Sequence, residues 1–489
     1  MKICVLGFDC AAPDVIFNDP RLINIRRLME VGTYGRLKST VPPITVPAWA
    51  SMTTSQDPGS LGIYGFRNRA DNGYANLKFA NSASIKAMAV WDYLAREGKK
   101  SVIIGVPPNF PPRKVNGVSI GCFLTPDTTK DEFAHPPELK AKIIEVAGGD
   151  YPVDVADFRT DDKERLKKEI FEMSRKQWKV VHHLLENQDW DYFHFVDIGM
   201  DRVHHGFWDY FDPRHVDHVP GNPYQQVIPD YYLWLDEQVG KVLEVLDDNT
   251  VLLLVSDHGA QPLDGGFAIN QWLIDEGLLV LNKPPQGVVP FNKLDVNWAK
   301  TKVWSEGGYY ARIFFNVEGR EPQGAIPAAE YDAFRAAFKA KLEAITDANG
   351  KPLNSLVFLP EQIYQKVRNV APDLIVHLGA LSWRSIGTVG HPTIHLREND
   401  SGPDACNHAQ YGMFVLGSPN LPLTGEFEGA NILDIAPTLM DLAGYSIPES
   451  MQGKSLVANM EKRDTKSGGE GSSESEDIIF ERLSGLGYI

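Results

Sequence analysis

Residues 251–260 read V-L-L-L-V-S-D-H-G-A, and no other stretch constrains the chain as strongly. Five apolar residues in a row, with Asn249 before them and Gly259 after, fit a short strand buried on both faces. Such a strand needs a layer above and a layer below, which points to a mainly parallel sheet with helices on both faces. The run ends in Asp257-His258, a carboxylate beside an imidazole. In open α/β sheets ligands gather just beyond the carboxyl ends of strands. Taken alone the pair is equally a solvated turn.

The same pattern recurs along the chain. Residues 3–8 (I-C-V-L-G-F) are a second apolar run, and Asp9 falls at its end. A helix is expected over 22–31 with Gly32 as its stop. Another helix over 91–97 leads into an apolar strand at 101–106, the βαβ rhythm of a parallel sheet. Residues 192–197 (Y-F-H-F-V-D) form a further strand, followed closely by Asp201 and His205. Spaced four apart, these two share one face of a helix. His204 at three apart fits as well, and Asp197 is a competing carboxylate. An amphipathic helix follows over 231–246.

The expected fold class is therefore α/β, with its core in 1–265 and 371–460. Residues 125–190 read as a helical insertion with a solvated charged face, and 266–370 as a mixed α+β insertion. Residues 373–378 are expected to return to the main sheet, 413–416 to be the last strand, and 431–444 a closing helix capped by Asn431. The Ser-, Gly- and Glu-rich stretch 463–477 is expected to be a disordered linker, and 478–489 a short helix.

Charge narrows the partners. A formal net charge of −16 argues against a nucleic-acid polymer or an anionic membrane. A phosphate-bearing substrate would then need local cations. No apolar stretch is long enough to span a bilayer, and the short run after Met1-Lys2 is no signal peptide because it stops at Asp9. Cys4, Cys10, Cys122 and Cys406 form no C-x-x-C pair, so neither a disulfide framework nor a thiolate zinc site is expected. A reduced, cytoplasmic protein is the expectation, with self-association left open.

Residues 42–55 (P-P-I-T-V-P-A-W-A-S-M-T-T-S) add a hydroxyl. Pro47 suits the first turn of a helix, which puts Thr45 at a helix N-terminus, a place that favours an anion. It is also the place of an ordinary helix cap. In the loop 387–408 His391, His395 and His408 are candidates, and His408 lies closest to the final strand. Asp9, Thr45, Asp201, His205, Asp257, His258 and His408 thus fall at strand ends or helix starts. Carboxylate and imidazole donors without thiolate suit zinc or manganese. Seven are too many for one tetrahedral ion, whereas two ions about 4 Å apart would use them.

Six motifs carry a resemblance: G-F-D at 7–9, P-P-I-T-V-P-A-W at 42–49, D-R-V-H-H-G-F-W at 201–208, S-D-H-G at 256–259, H-A-Q-Y-G at 408–412 and D-I-A-P-T at 434–438. In this order the chain resembles the alkaline phosphatase superfamily over most of residues 1–456. Within it, the likeness is to the type I phosphodiesterase/nucleotide pyrophosphatase branch and its microbial phosphohydrolase relatives. The resemblance implies an alkaline-phosphatase-like core and two divalent ions. One would be held by Asp9, Asp257, His258 and the Thr45 oxygen, the other by Asp201, His205 and His408. It implies in-line attack by Thr45 on a small phosphodiester or pyrophosphate, through a phosphothreonine that water then hydrolyses. A phosphomonoesterase or a phosphoglycerate-mutase-like phosphomutase is the alternative, and a non-catalytic metal-stabilised binding protein a remote one.

Three departures stand out. Where nucleotide pyrophosphatases place an Asn downstream of the nucleophile to hold a phosphate oxygen, this chain has Phe66, so Arg67, Asn68 or Arg69 is expected to take that part. Cys10 stands where a Gly usually follows Asp9. The sulfatase signature C-x-P-x-R is missing.

Overall fold

The computed structural model describes residues 1–418 and 424–457. The linker expected over 463–477 and the helix expected over 478–489 lie outside the described residues. At the centre of the molecule Lys2–Phe8 runs parallel to Tyr192–Asp197 on one side and to Thr250–Val255 on the other. Ser101–Ile104 and Gly117–Ile120 extend the parallel part beyond Tyr192–Asp197. On the opposite flank Tyr411–Gly417 pairs antiparallel with Thr250–Val255, and Gly32–Lys38 antiparallel with Tyr411–Gly417.

Successive side chains of a strand point to opposite faces, and here both faces are apolar. Cys4, Leu6, Phe8, Leu252 and Leu254 pack into one core. Ile3, Val5, Val251, Leu253 and Val255 pack into a second core on the other side. The first is closed by Ile23–Val31, Lys163–Asn187, Gly199–Phe211 and Val227–Val245. The second is closed by Thr45–Thr54, Val90–Arg96 and Ile435–Leu442. The molecule is α/β with a mostly parallel central sheet. Among the described residues no helix is long and apolar enough to cross a membrane.

Two expectations need correcting. Residues 125–190 include more than a solvated insertion, because Lys163–Asn187 sends Leu166, Ile170, Trp178 and Val181 into the core beneath the sheet. Its apolar stripe is hidden in the sequence among interleaved Lys and Glu. Leu374–His377 does not return to the main sheet. It pairs antiparallel with Ala311–Phe315 and with Leu356–Phe358, in a separate four-stranded sheet completed by Val303–Glu306. A three-residue apolar run shows that a strand is buried, not which sheet it joins.

A short two-stranded ribbon stands apart from both of these sheets. Gly259–Pro262 pairs antiparallel with Cys406–Ala409, in a register that sets Ala260 opposite His408. Leu254 is fully buried in the middle of the main sheet, three residues before Asp257. Truncation by Leu254→Ala is expected to cost about 2–5 kcal/mol. The check is a lower urea midpoint at unchanged slope.

Candidate metal centre

Three adjacent strands end at one place. Asp9 follows Lys2–Phe8, Asp257 and His258 follow Thr250–Val255, and Asp201 with His205 sit in the helix that follows Tyr192–Asp197. Because these strands are parallel neighbours in register, their carboxyl ends emerge side by side. The antiparallel ribbon then swings His408 in from the far end of the chain. The ligand-capable atoms of Asp9, Asp257 and His258 lie within 4.8 Å of one another, and so do those of Cys10, Asp201, His205 and His408.

Hydrogen bonds fix which atoms face inward. The Nδ1–H of His258 donates to the Gly259 carbonyl at 3.2 Å and that of His408 to the Pro43 carbonyl at 2.9 Å. His205 Nδ1–H donates to Asp404 Oδ1 at 2.6 Å. Since these partners only accept, each Nδ1 carries a proton and each Nε2 is left to ligate. Likewise Trp49 Nε1–H donates to Asp9 Oδ2 at 2.7 Å, and the Cys10 backbone N–H to Asp257 Oδ1 at 3.2 Å. Arg202 donates to Asp201 Oδ2.

The remaining oxygens, Asp9 Oδ1, Asp257 Oδ2 and Asp201 Oδ1, are buried and have no hydrogen-bond partner among the described residues. They face the inward nitrogens: His258 Nε2 lies 3.2 Å from Asp257 Oδ2 and 3.8 Å from Asp9 Oδ1. His205 Nε2 lies 3.3 Å from Asp201 Oδ1 and 3.3 Å from His408 Nε2. Acceptors that face acceptors in a buried site repel unless a cation stands between them. The donor set fits two divalent ions on this ground.

Proton affinities are shifted throughout the site. Burial, then the neighbouring Asp201, pushes Asp9 well above the usual carboxylate range, and burial with Asp9 does the same to Asp257. Burial lowers His258 to about 4 and, with the neighbouring imidazoles, lowers His408. For His205 burial is outweighed by Asp404 and other neighbours, which raise it. Asp201 is held low, with His205 and Arg202 outweighing its burial. Asp9, Asp257 and His205 thus hold protons more tightly than usual.

Thr45 is the first residue of the helix Thr45–Thr54, after Ile44 in extended conformation. Its hydroxyl lies 3.4 Å from His258 Nε2, beside the first cluster. It lines a cavity of about 330 Å³ together with Asp201, His205 and His408.

Residues 3–404 match the type I phosphodiesterase / nucleotide pyrophosphatase family. The chain belongs to that family. It is a phosphoric ester hydrolase of the alkaline phosphatase superfamily. No curated protein matches it by sequence. Among solved structures it is similar to human ectonucleotide pyrophosphatase/phosphodiesterase 5, with a TM-score of 0.51 and 13% identity over 94% of this chain and 99% of that one. The murine protein gives a TM-score of 0.51 and 14% identity over the same shares, both by itself and as an inactive form in complex with AMP. At such identity the likeness concerns the fold.

Against the family's pattern, the three candidates for the missing Asn separate. Arg67 lines the cavity. Asn68 does not: its side chain accepts from the Tyr64 N–H at 2.7 Å and donates to the Gly65 carbonyl at 2.9 Å, holding its own loop. Arg69 is buried against Glu321 at 3.3 Å, away from the cavity. Cys10 takes a φ of 66°, the left-handed region in which glycine is cheaper. His204 is held by the Cys10 carbonyl at 3.0 Å and Tyr232 Oη at 3.2 Å. Asp197 accepts from Trp178 and Tyr231, each at 2.7 Å. His395 donates to the Thr346 carbonyl at 2.7 Å, and His391 bonds Thr388.

Sequence reading missed the residues that hold the ligands. Trp49, Arg202 and Asp404 are three, and Tyr309 is a fourth, its ring stacked on His408 at 4.4 Å between centroids. The Asp404 side chain is fully buried and also accepts from Arg159 and Arg384, each at 2.8 Å. One clue was in the sequence: the aspartate lies four residues before His408. Asp404→Asn is expected to weaken metal affinity by about 10–100-fold. Competition against a chromophoric chelator measures it, with Asp404→Glu expected to recover part of the loss.

Proposed function

We propose that the protein hydrolyses a small phosphodiester or pyrophosphate through a covalent phosphothreonine on Thr45. The observation that carries this reading is the place of the Thr45 hydroxyl, 3.4 Å from His258 Nε2 and on the wall of the cavity that Asp201, His205 and His408 also line. A threonine hydroxyl is a poor nucleophile at its ordinary pKa. Asp9, Asp257, His258 and Thr45 would hold one divalent ion, and Asp201, His205 and His408 the other. When bound, such ions favour the alkoxide and neutralise charge on the phosphoryl group. Zinc is the first choice for this nitrogen and oxygen donor set, with manganese second.

The chain's own contribution is positional. The helix start directs Thr45 Oγ1 and nearby backbone N–H groups toward the cavity, where an anion is favoured. The Oγ1–P bond forms as one ester oxygen departs. Water then cleaves the phosphothreonine and restores the hydroxyl. The indole of Trp49 and the carboxylate of Asp404 fix Asp9 and His205 so that neither reorients between these steps.

Chelator-sensitive cleavage of bis(p-nitrophenyl) phosphate by the purified protein is the expected result. Thr45→Ala should lower it roughly 10³-fold or more, with metal content unchanged to within one ion. Restoring zinc or manganese to the stripped protein identifies the active ion. Preferential turnover of p-nitrophenyl phosphate would refute the diester reading, and passage of the phosphoryl group to a second alcohol instead of water would indicate a mutase.

A further inference from the structure

The cavity in front of the metal centre is richer in guanidinium groups than one reacting phosphate requires. In a chain with a net charge of −16, five arginines line it: Arg67, Arg159, Arg202, Arg312 and Arg384. Their counter-charges are few. Arg202 is satisfied twice, by Asp154 at 2.7 Å and by Asp201. The other four fall into two pairs, each sharing one carboxylate. Arg159 and Arg384 share Asp404, which also holds His205, and the buried Nε of Arg384 has no partner among the described residues. Arg67 and Arg312 share Glu306, at 3.4 and 3.9 Å.

The second pair is the accessible one. Glu306 and Arg312 sit opposite each other in the hairpin that joins Val303–Glu306 to Ala311–Phe315. Arg312 also donates to the Arg67 carbonyl, which pins the 64–67 loop against that hairpin. Arg312 is nearly buried, whereas the Arg67 side chain is 47% exposed. Two guanidinium groups for one carboxylate leave a positive charge at the cavity wall. Guanidinium forks match carboxylate and phosphate oxygens in pairs. A neutral aliphatic substrate half would leave that charge without a partner.

We propose that Arg67 and Arg312 form an oxyanion subsite that selects phosphoesters whose non-reacting half carries an anionic group of its own, a second phosphate or a carboxylate. The subsite rests on the phosphoesterase reading for its purpose, but its binding can be measured without turnover. It also gives Arg67 a different task from holding the reacting phosphate.

The test is calorimetric titration of metal-loaded Thr45→Ala protein with propyl phosphate, propane-1,3-diyl bisphosphate and 3-carboxypropyl phosphate. At least one doubly anionic ligand is expected to bind about ten-fold or more tightly than propyl phosphate, and the better of the two identifies the group. Adding Arg67→Gln, a change at a half-exposed position, should remove most of that advantage. Arg312→Lys, which keeps the charge and loses the fork, should reduce it in part. Equal affinities for the three ligands, or an advantage that survives both substitutions, would overturn the subsite. Hydrolysis of the matching p-nitrophenyl diesters separates the two claims. Turnover without any anionic preference leaves the phosphodiesterase reading and removes the subsite; preference in binding with no diester turnover does the reverse.

Discussion

Lone pairs meeting lone pairs are what the centre of this protein is arranged to produce. Three carboxylate oxygens and three imidazole nitrogens converge in one buried place, each held there by a hydrogen bond on its opposite side. In water such groups would be solvated one by one. Once buried, they repel unless a cation joins them, and Asp9 and Asp257, raised by burial and then by the neighbouring carboxylates, express that cost as proton affinity. The sheet accepts this cost because both of its faces are covered by apolar side chains that contribute far more than the site takes away.

The division of labour follows from topology. Adjacent parallel strands put Asp9 beside Asp257 without any long-range adjustment. The helix after the third strand adds Asp201 and His205 on one face. His408 comes from much later in the chain and needs the Gly259–Pro262 ribbon to set its register. The second sheet contributes no predicted ligand, yet its hairpin supplies Tyr309, which stacks on His205 and His408 and closes one wall of the cavity. The main sheet thus places most of the ligand-capable groups, and segments outside it, the inserted sheet among them, line most of the cavity. That separation lets a family keep one metal centre while varying what fits in front of it.

Much of this was legible in the sequence. The apolar runs at 3–8 and 251–255, with the mostly apolar 192–196, determined a sheet buried on both faces, because no half-wet strand tolerates such runs. Asp9, Asp201, His205, Asp257 and His258 were readable because each follows its strand within a few residues, so local structure alone carries it to the sheet's edge. Thr45 was readable from the prolines around it. Other features were decided only by the tertiary structure. Leu374–His377 looked like a strand of the main sheet but pairs elsewhere, since pairing partners are set by contacts between distant segments. Whether Arg67, Asn68 or Arg69 reaches the cavity was not readable from alternation, because Arg67 and Arg69 share one side of a short strand and Arg69 is drawn off by Glu321. The grip of Asp404 on His205 and of Trp49 on Asp9 joins residues far apart in the chain. Sequence determines which side chains arrive at an element's end; only folding determines which of them meet there.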